Sequence, residues 1–322
     1  MTLIAPVVLK PQTQRHLEQA LTSIREYECW RLNRYLAIDD AKRGNIQHFG
    51  GSTALGFNDV GYFNRVYDFG TENLEQLKLI TGFYDSIWPT NNYFPIELIA
   101  RSDFDFQASQ DILQRFDFLP GERLVRLGLD LTSRIQQHQH PTFHNRKASS
   151  PSESRPRIEY RHPTPSEYPA VLDLYLNGFG APLANHPSAK RNMMQLFNRS
   201  EFVTWCAFSD KSPIAIGMIY LDGPFAVLAA GVTHPHFRNL GIHEDLIQLR
   251  IAHAKSIECQ AIYTWTQFGG QSHRNLLAEG FEELRVERVW RREAEPSMHI
   301  PKHPKSTSEL IDSLNQRAAC NW

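Results

Sequence analysis

Cysteine is scarce in this chain. Four occur, Cys29, Cys206, Cys259 and Cys320, and no two form a C-x-x-C pair. That spacing excludes a disulfide framework and a structural zinc site. Long apolar runs are missing too; none approaches the ~20 residues that span a bilayer. The start, MTLIAPVVLKPQTQ, has a short apolar run with no basic region before it and no small-residue cleavage site. It does not read as a signal peptide. Excess charge is also absent. Lys plus Arg number 34 against 35 Asp plus Glu, for a net charge of −1. No global field favours nucleic acid or an anionic membrane as partner. A cytoplasmic protein fits these absences. What is present is ordinary globular composition, 41% hydrophobic and 21% charged over 322 residues, enough for two domains with separate cores.

The stretch 132–156, TSRIQQHQHPTFHNRKASSPSESRP, is polar and has no apolar period. It reads as a linker. Its histidines, His138, His140 and His144, read as part of a solvated loop, so no metal is expected. From 294 the chain turns polar again, with Pro296, Pro301 and Pro304, and a short helical pattern over 306–317. This gives a first domain at 1–131, a linker at 132–156, a second domain at 157–293 and a tail at 294–322.

Periodicity in the second half predicts strands at 158–161, 202–208, 214–221, 225–233, 261–266 and 281–291. It predicts helices at 166–179, 188–197, 241–257 and 272–278. In the first half the helices fall at 17–36, 74–88 and 107–116, and the strands at 46–49, 63–69, 95–100 and 123–129. Ile96-Glu97-Leu98…Leu113…Phe118 mirrors Ile262-Tyr263-Thr264…Leu277…Phe281, a weak internal repeat at half the chain length.

One segment carries chemistry. An apolar strand ending Gly231-Val232-Thr233 runs through His234-Pro235-His236-Phe237-Arg238-Asn239-Leu240-Gly241-Ile242-His243 into an amphipathic helix with Leu246 and Leu249. A helix N-terminus offers unpaired N–H groups and partial positive charge. Gly241 admits close backbone approach, and Arg238 adds a full charge. The result is an anion cradle of the kind that holds pyrophosphate.

The spacing Arg238-x-x-Gly241 resembles the acyl-CoA loop of the GCN5-related N-acetyltransferase (GNAT) superfamily. His243 stands where that family prefers Gly or Ala, which fits a ring turned outward and a backbone N–H left for phosphate. The element order β-α-α-β-β-β-α-β-α-β and the closing Asn275…Gly280-Phe281 are similar to the family as well. The resemblance implies a mixed α/β (αβα) fold class, with two tandem acyl-CoA N-acyltransferase folds. Each is a mostly antiparallel mixed sheet flanked by helices. The first copy reads as degenerate. Its corresponding turn, Asp68-Phe69-Gly70-Thr71-Glu72-Asn73, has two acids that would repel pyrophosphate.

By the same resemblance, strand 229–233 parts from strand 262–266 after a β-bulge, and the pantetheine arm binds in the gap. Val232 and Thr233 then bind pantetheine by main-chain atoms. Arg238, Asn239, Leu240, Gly241, Ile242 and His243 hold the diphosphate, and Asn275 reaches across. The cofactor implied is acetyl-CoA or another acyl-CoA, as co-substrate. The partner is a small-molecule amine acceptor. Many family members carry a Tyr acid at the position of Leu276, so the usual phenol is missing. Ser272 stands one turn earlier, as a substitute acid or as the N-cap of its helix. His234 is a candidate base or a turn residue. Glu244 complements the helix dipole. The aromatics Trp205, Tyr220, Phe225, Trp265, Phe268 and Trp290 are core or acceptor contacts. Two further readings stand beside the transferase: a domain acting on carrier-protein-bound or malonyl thioesters, and a non-catalytic CoA-binding protein. Nothing in the sequence speaks to oligomeric state.

Overall fold

A computed structural model describes residues 11–37, 43–58, 61–87, 95–101, 106–132, 157–179 and 187–293. The linker beyond Thr132, with His138, His140 and His144, and the 294–322 tail lie outside the described residues. The chain divides into two compact units. Among the described residues, unit 1 holds those up to Arg126 and from Glu283 onward, and unit 2 holds Leu127–Glu282.

Unit 1 begins with helix α1 (Pro11–Leu36). Strands β1 (Gly44–Phe49), β2 (Ser52–Phe57) and β3 (Arg65–Phe69) follow, then helix α2 (Leu77–Ile87), strand β4 (Ile96–Ala100), helix α3 (Phe106–Arg115) and strand β5 (Leu119–Asp130). β2 lies where the sequence predicted no strand. Its run STALGF is buried at every position, so it has no alternation to reveal it. A tight turn at Gly50, with φ of 57°, joins it to β1. Helix α2 lays Leu77, Ile80, Phe83, Tyr84 and Ile87 on the sheet, where they join Val66, Phe69, Leu98 and Trp290 in one core.

Trp290 belongs to β11 (Glu282–Arg292), the last strand of the described chain. β11 pairs antiparallel with β4, with Trp290 opposite Leu98. Within unit 1 the strand order is β1-β2-β3-β4-β11-β5. Trp290 is thus a core residue of unit 1 and not an acceptor contact of the second half.

Unit 2 contains β6 (Ile158–Arg161), helices α4 (Tyr168–Gly178) and α5 (Pro187–Met194), and strands β7 (Phe202–Ser209), β8 (Ser212–Asp222) and β9 (Phe225–Thr233). Helix α6 (Ile242–Ser256), strand β10 (Ala261–Gln267) and helix α7 (Gln271–Ala278) complete it. The strand order is β10-β9-β8-β7-β6. The β7–β8 turn is Asp210-Lys211, both with positive φ (48° and 69°), the conformation a two-residue hairpin with right-handed twist requires. β9 reads FAVLAAGVT, a nearly continuous apolar run, because it lies inside the sheet with helices packed on it. Ile242, Leu246 and Leu249 of α6 pack on Ala207, Ile214 and Ala215. These elements form a mixed α/β fold in which sheet strands are covered by helices. No helix among the described residues is long and apolar enough to cross a membrane.

Candidate functional site

The site grows from a defect in one strand. β8 and β9 pair Met218 with Ala230 but Ile219 with Leu228, so Ala229 is an extra residue. Such a bulge bends the strand and frees main-chain groups. Beside it, β9 and β10 run parallel and pair only at Phe225↔Ala261, Ala226↔Ile262 and Val227↔Tyr263. Thr264 Oγ1 then donates to the Leu228 carbonyl at 3.0 Å. Beyond it the strands part, and a cavity of about 440 Å³ opens.

Nine of the residues singled out from the sequence line this cavity: Val232, Thr233, Arg238, Asn239, Gly241, Ile242, His243, Ser272 and Asn275. Gly241 is the N-cap of α6, with φ of 81° and ψ of 2°. A side chain there has open space but an unfavourable backbone, so the requirement for glycine is conformational. Asn239 is also left-handed, with φ of 63°. Together they fold the chain so that α6 opens toward the cavity. Arg238 is exposed at the rim and donates weakly from Nε to the Thr233 carbonyl, at 3.4 Å. From the other side Asn275 is buried, and its Oδ1 accepts from Gln271 Nε2 at 2.6 Å. Gly178, at the end of α4, lines the cavity because a Cβ there would stand 2.3 Å from Val232 Cγ1.

Two of the predicted residues stand apart. Leu240 is 43% exposed and outside the lining. His234 caps the short turn Pro235–Phe237, where its Nδ1 accepts from the His236 N–H, and it too is outside the lining. Ser272 does line the cavity, but it is not a cap. Gly270 occupies the N-cap position of α7, which places Ser272 at the second helical residue. Of the aromatics, Trp265 is buried beside a second, smaller cavity, while Trp205, Tyr220 and Phe225 line neither. Leu276, in the expected phenol position, is buried against the smaller cavity.

His243 corrects one expectation. Its ring turns inward rather than out, resting on β9. A Cβ at Gly231 would stand 3.1 Å from His243 Cε1. Nε2 is buried with no hydrogen-bond partner. Burial, and then the nearby charge of Arg250, push its pKa down to about 4, so the ring is neutral at pH 7. His243 is the second residue of α6 and lines the cavity.

Gln267 and Arg250 escaped the sequence reading, and Glu244 was read only as a complement to the helix dipole. Gln267 and Glu244 line the larger cavity, and among the described residues Glu244 is its one lining carboxylate. Arg250, two turns into α6, is buried and lines the smaller cavity. The available signal was a glycine inside each of two neighbouring strands. Gly217 and Gly231 face each other across β8 and β9, and they leave room for Arg250 and His243.

No protein-family model matches the chain, and no curated protein matches it in sequence. Solved structures do. A GCN5-related N-acetyltransferase from Sphaerobacter thermophilus is similar over 81% of this chain and 79% of its own, with a TM-score of 0.54 and 11% identity. A GCN5-related N-acetyltransferase from Kribbella flavida is similar over 85% of this chain and 96% of its own, with a TM-score of 0.51 and 12% identity. A functionally unknown conserved protein from Staphylococcus epidermidis is similar over 80% of this chain and 97% of its own, with a TM-score of 0.55 and 11% identity. Each likeness runs through both halves. This chain therefore carries the GCN5-related N-acetyltransferase fold.

Proposed function

We propose that unit 2 is an acyl-CoA-dependent N-acyltransferase acting on a small-molecule amine. One observation carries the reading: a strand gap beginning at a β-bulge and a glycine-capped helix N-terminus open into a single cavity. In this reading the α6 N-terminus and Arg238 hold the CoA diphosphate through N–H groups and charge. The freed main-chain groups of Val232 and Thr233 take the pantetheine arm as an added strand. Asn275 and Gln267 close the far side.

In the reaction, the amine nitrogen attacks the thioester carbonyl, a C–N bond forms, and the C–S bond breaks. Among the described residues the lining holds no Tyr or Cys to protonate the departing sulfur. A CoA thiol has a pKa near that of cysteine, about 8.5, so it leaves largely as thiolate. The amine proton passes to water in the cavity, where Glu244 is the carboxylate at hand. Holding the two reactants together supplies much of the rate. His234 has no part in this reading, and unit 1 contributes no cofactor site.

The missing phenol also supports a second reading, a CoA-binding protein without turnover. One experiment separates them. CoA and acetyl-CoA are titrated calorimetrically into the full chain, and thiol release is then followed across a panel of small amines. Binding with release on at least one amine is expected. Binding with no release on any amine selects the second reading, and no binding of either ligand ends both.

A further inference from the structure

Arg250 is an unusual residue for its place. It is 2% exposed, within the interior of unit 2. Its Nε donates to the Leu246 carbonyl at 2.9 Å. Its Nη1 donates to the Met218 and Ala230 carbonyls at 3.2 Å and 3.1 Å. Those last two lie beside the Ala229 bulge, so Arg250 satisfies main-chain oxygens near the distorted ladder. Three of the five guanidinium N–H groups are thereby used. The two on Nη2 have no partner among the described residues, and no carboxylate there forms an ion pair with Arg250. Burial lowers its pKa to about 9, which leaves it charged at neutral pH. An uncompensated charge in the interior is strongly unfavourable, and an apolar side chain of similar volume would fill the space at lower free energy.

The charge faces usable space. Arg250 lines a cavity of about 60 Å³ together with Gly231, His243, Thr264, Trp265 and Ser272. One water needs roughly 10–15 Å³ by a comparable measure, so a carboxylate group fits. Gly231, His243 and Ser272 also line the larger cavity, so the two spaces adjoin. The smaller one lies farther along β9, away from the α6 N-terminus and toward the bulge. A thioester arm that starts at the cradle and follows β9 brings its acyl group there. His243 stands between the two spaces and lines both.

We propose that this inner cavity is a carboxylate-binding pocket, and that the donor is an acyl-CoA whose acyl group ends in a carboxylate. Arg250 binds that carboxylate through Nη2. Charge-assisted hydrogen bonds of this kind are about twice as strong as neutral ones, and they complete the compensation of Arg250. The inference rests on the acyl-CoA reading of the larger cavity and narrows it from any acyl group to an acidic one.

The test is calorimetric titration of the full chain with CoA, acetyl-CoA, malonyl-CoA, succinyl-CoA and glutaryl-CoA. At least one of the three acidic thioesters is expected to bind about tenfold or more tighter than acetyl-CoA. In Arg250→Met the ratio of that affinity to the acetyl-CoA affinity falls to about one. The wild-type ratio decides by itself, so a variant that fails to fold does not rescue the idea. Equal binding of acetyl-CoA and all three acidic thioesters overturns the inference and leaves the acyl-CoA reading standing. A preference that survives intact in folded Arg250→Met also overturns it. Absence of binding by every CoA species overturns both.

Discussion

In unit 1 the parallel strands β3 and β4 stay joined to their ends. They pair at Arg65↔Glu97 and Val66↔Leu98, and despite an irregularity they pair again at Phe69↔Ala100. The Arg101 N–H then donates to the Phe69 carbonyl at 2.9 Å. In unit 2 the corresponding strands β9 and β10 stop pairing at Val227↔Tyr263. The turns that follow differ in the same sense. After β9 the backbone leads through Gly241 into a helix whose first residues, Ile242, His243 and Glu244, line a cavity. After β3 the Gly70 N–H is already taken by Asn73 Oδ1 at 2.9 Å. Asn73 is fully buried and also ties Ser52 Oγ and the Phe49 carbonyl, at 2.7 Å and 2.8 Å.

The acids of the first turn act less directly than their charge suggests. Asp68 pairs with Arg285 at 2.8 Å and with Arg25 at 3.4 Å. Glu72 pairs with Arg101 at 2.9 Å, and its carboxylate stands over Gly70, within 2.6 Å of where a Cβ would be. In unit 1 the turn is filled and the parallel pair resumes after its irregularity, whereas in unit 2 the parallel pair ends beside a bulge in the neighbouring β8–β9 ladder.

Four experiments press on this contrast. The largest expected effect is in Gly241→Asp, which places an L-residue at a φ of 81° and a carboxylate at the cradle. CoA affinity should fall on the order of a thousandfold, from left-handed strain together with charge repulsion. Calorimetry on the folded variant checks it, and unchanged affinity would sink the cradle. The same titration on wild type should give a single site per chain. Two equivalent sites would break the comparison outright.

The next effect is on stability against pH. His243 has a folded pKa near 4 against 6.5 unfolded. Between those values the unfolded chain binds the extra proton, so stability rises with pH across that window and is lost as pH falls through it. The shift corresponds to up to about 3 kcal/mol. Urea unfolding at pH 4 to 7 should show this slope in wild type and a flatter one in His243→Gln. Identical slopes would mean the ring is not held neutral in the folded state.

Asn73→Ala tests the other half. It leaves the Gly70 N–H and the Phe49 carbonyl of a buried network without this partner, at a cost of about 2 kcal/mol of unfolding free energy. CoA affinity in unit 2 should not change. A gain of a second CoA site in this variant would show that Asn73 alone plugs unit 1. The smallest effect is in Ser272→Ala. If departure of the thiolate needs no acid, turnover on a responsive amine drops less than about tenfold, below the ~10²–10⁴ of a true general acid or base. A steeper drop with binding intact would make Ser272 catalytic.

Much of this molecule follows from local sequence. The strand-turn-helix from Phe225 to Ser256 is marked by an apolar run, a left-handed glycine and an amphipathic stripe, all short-range signals. Hence the residues of this segment were identifiable from the sequence, and nine of the residues singled out there meet in one cavity. Tertiary structure decided the rest. β2 is buried on both faces and has no period to read. The partner of β11 depends on which sheet edge accepts it, and Trp290 opposite Leu98 is a contact 192 residues apart in the chain, counted from their numbers. The inward turn of His243 and the burial of Arg250 depend on two glycines in neighbouring strands, Gly217 and Gly231, facing each other across β8 and β9. Sequence alone marked the start of α6 as a candidate anion cradle. Only the packing of α6 over the bulge decided that a buried, unneutralised cation lies beside the inner end of the same gap, because burial and pairing are properties of the assembled sheet and not of any segment in it.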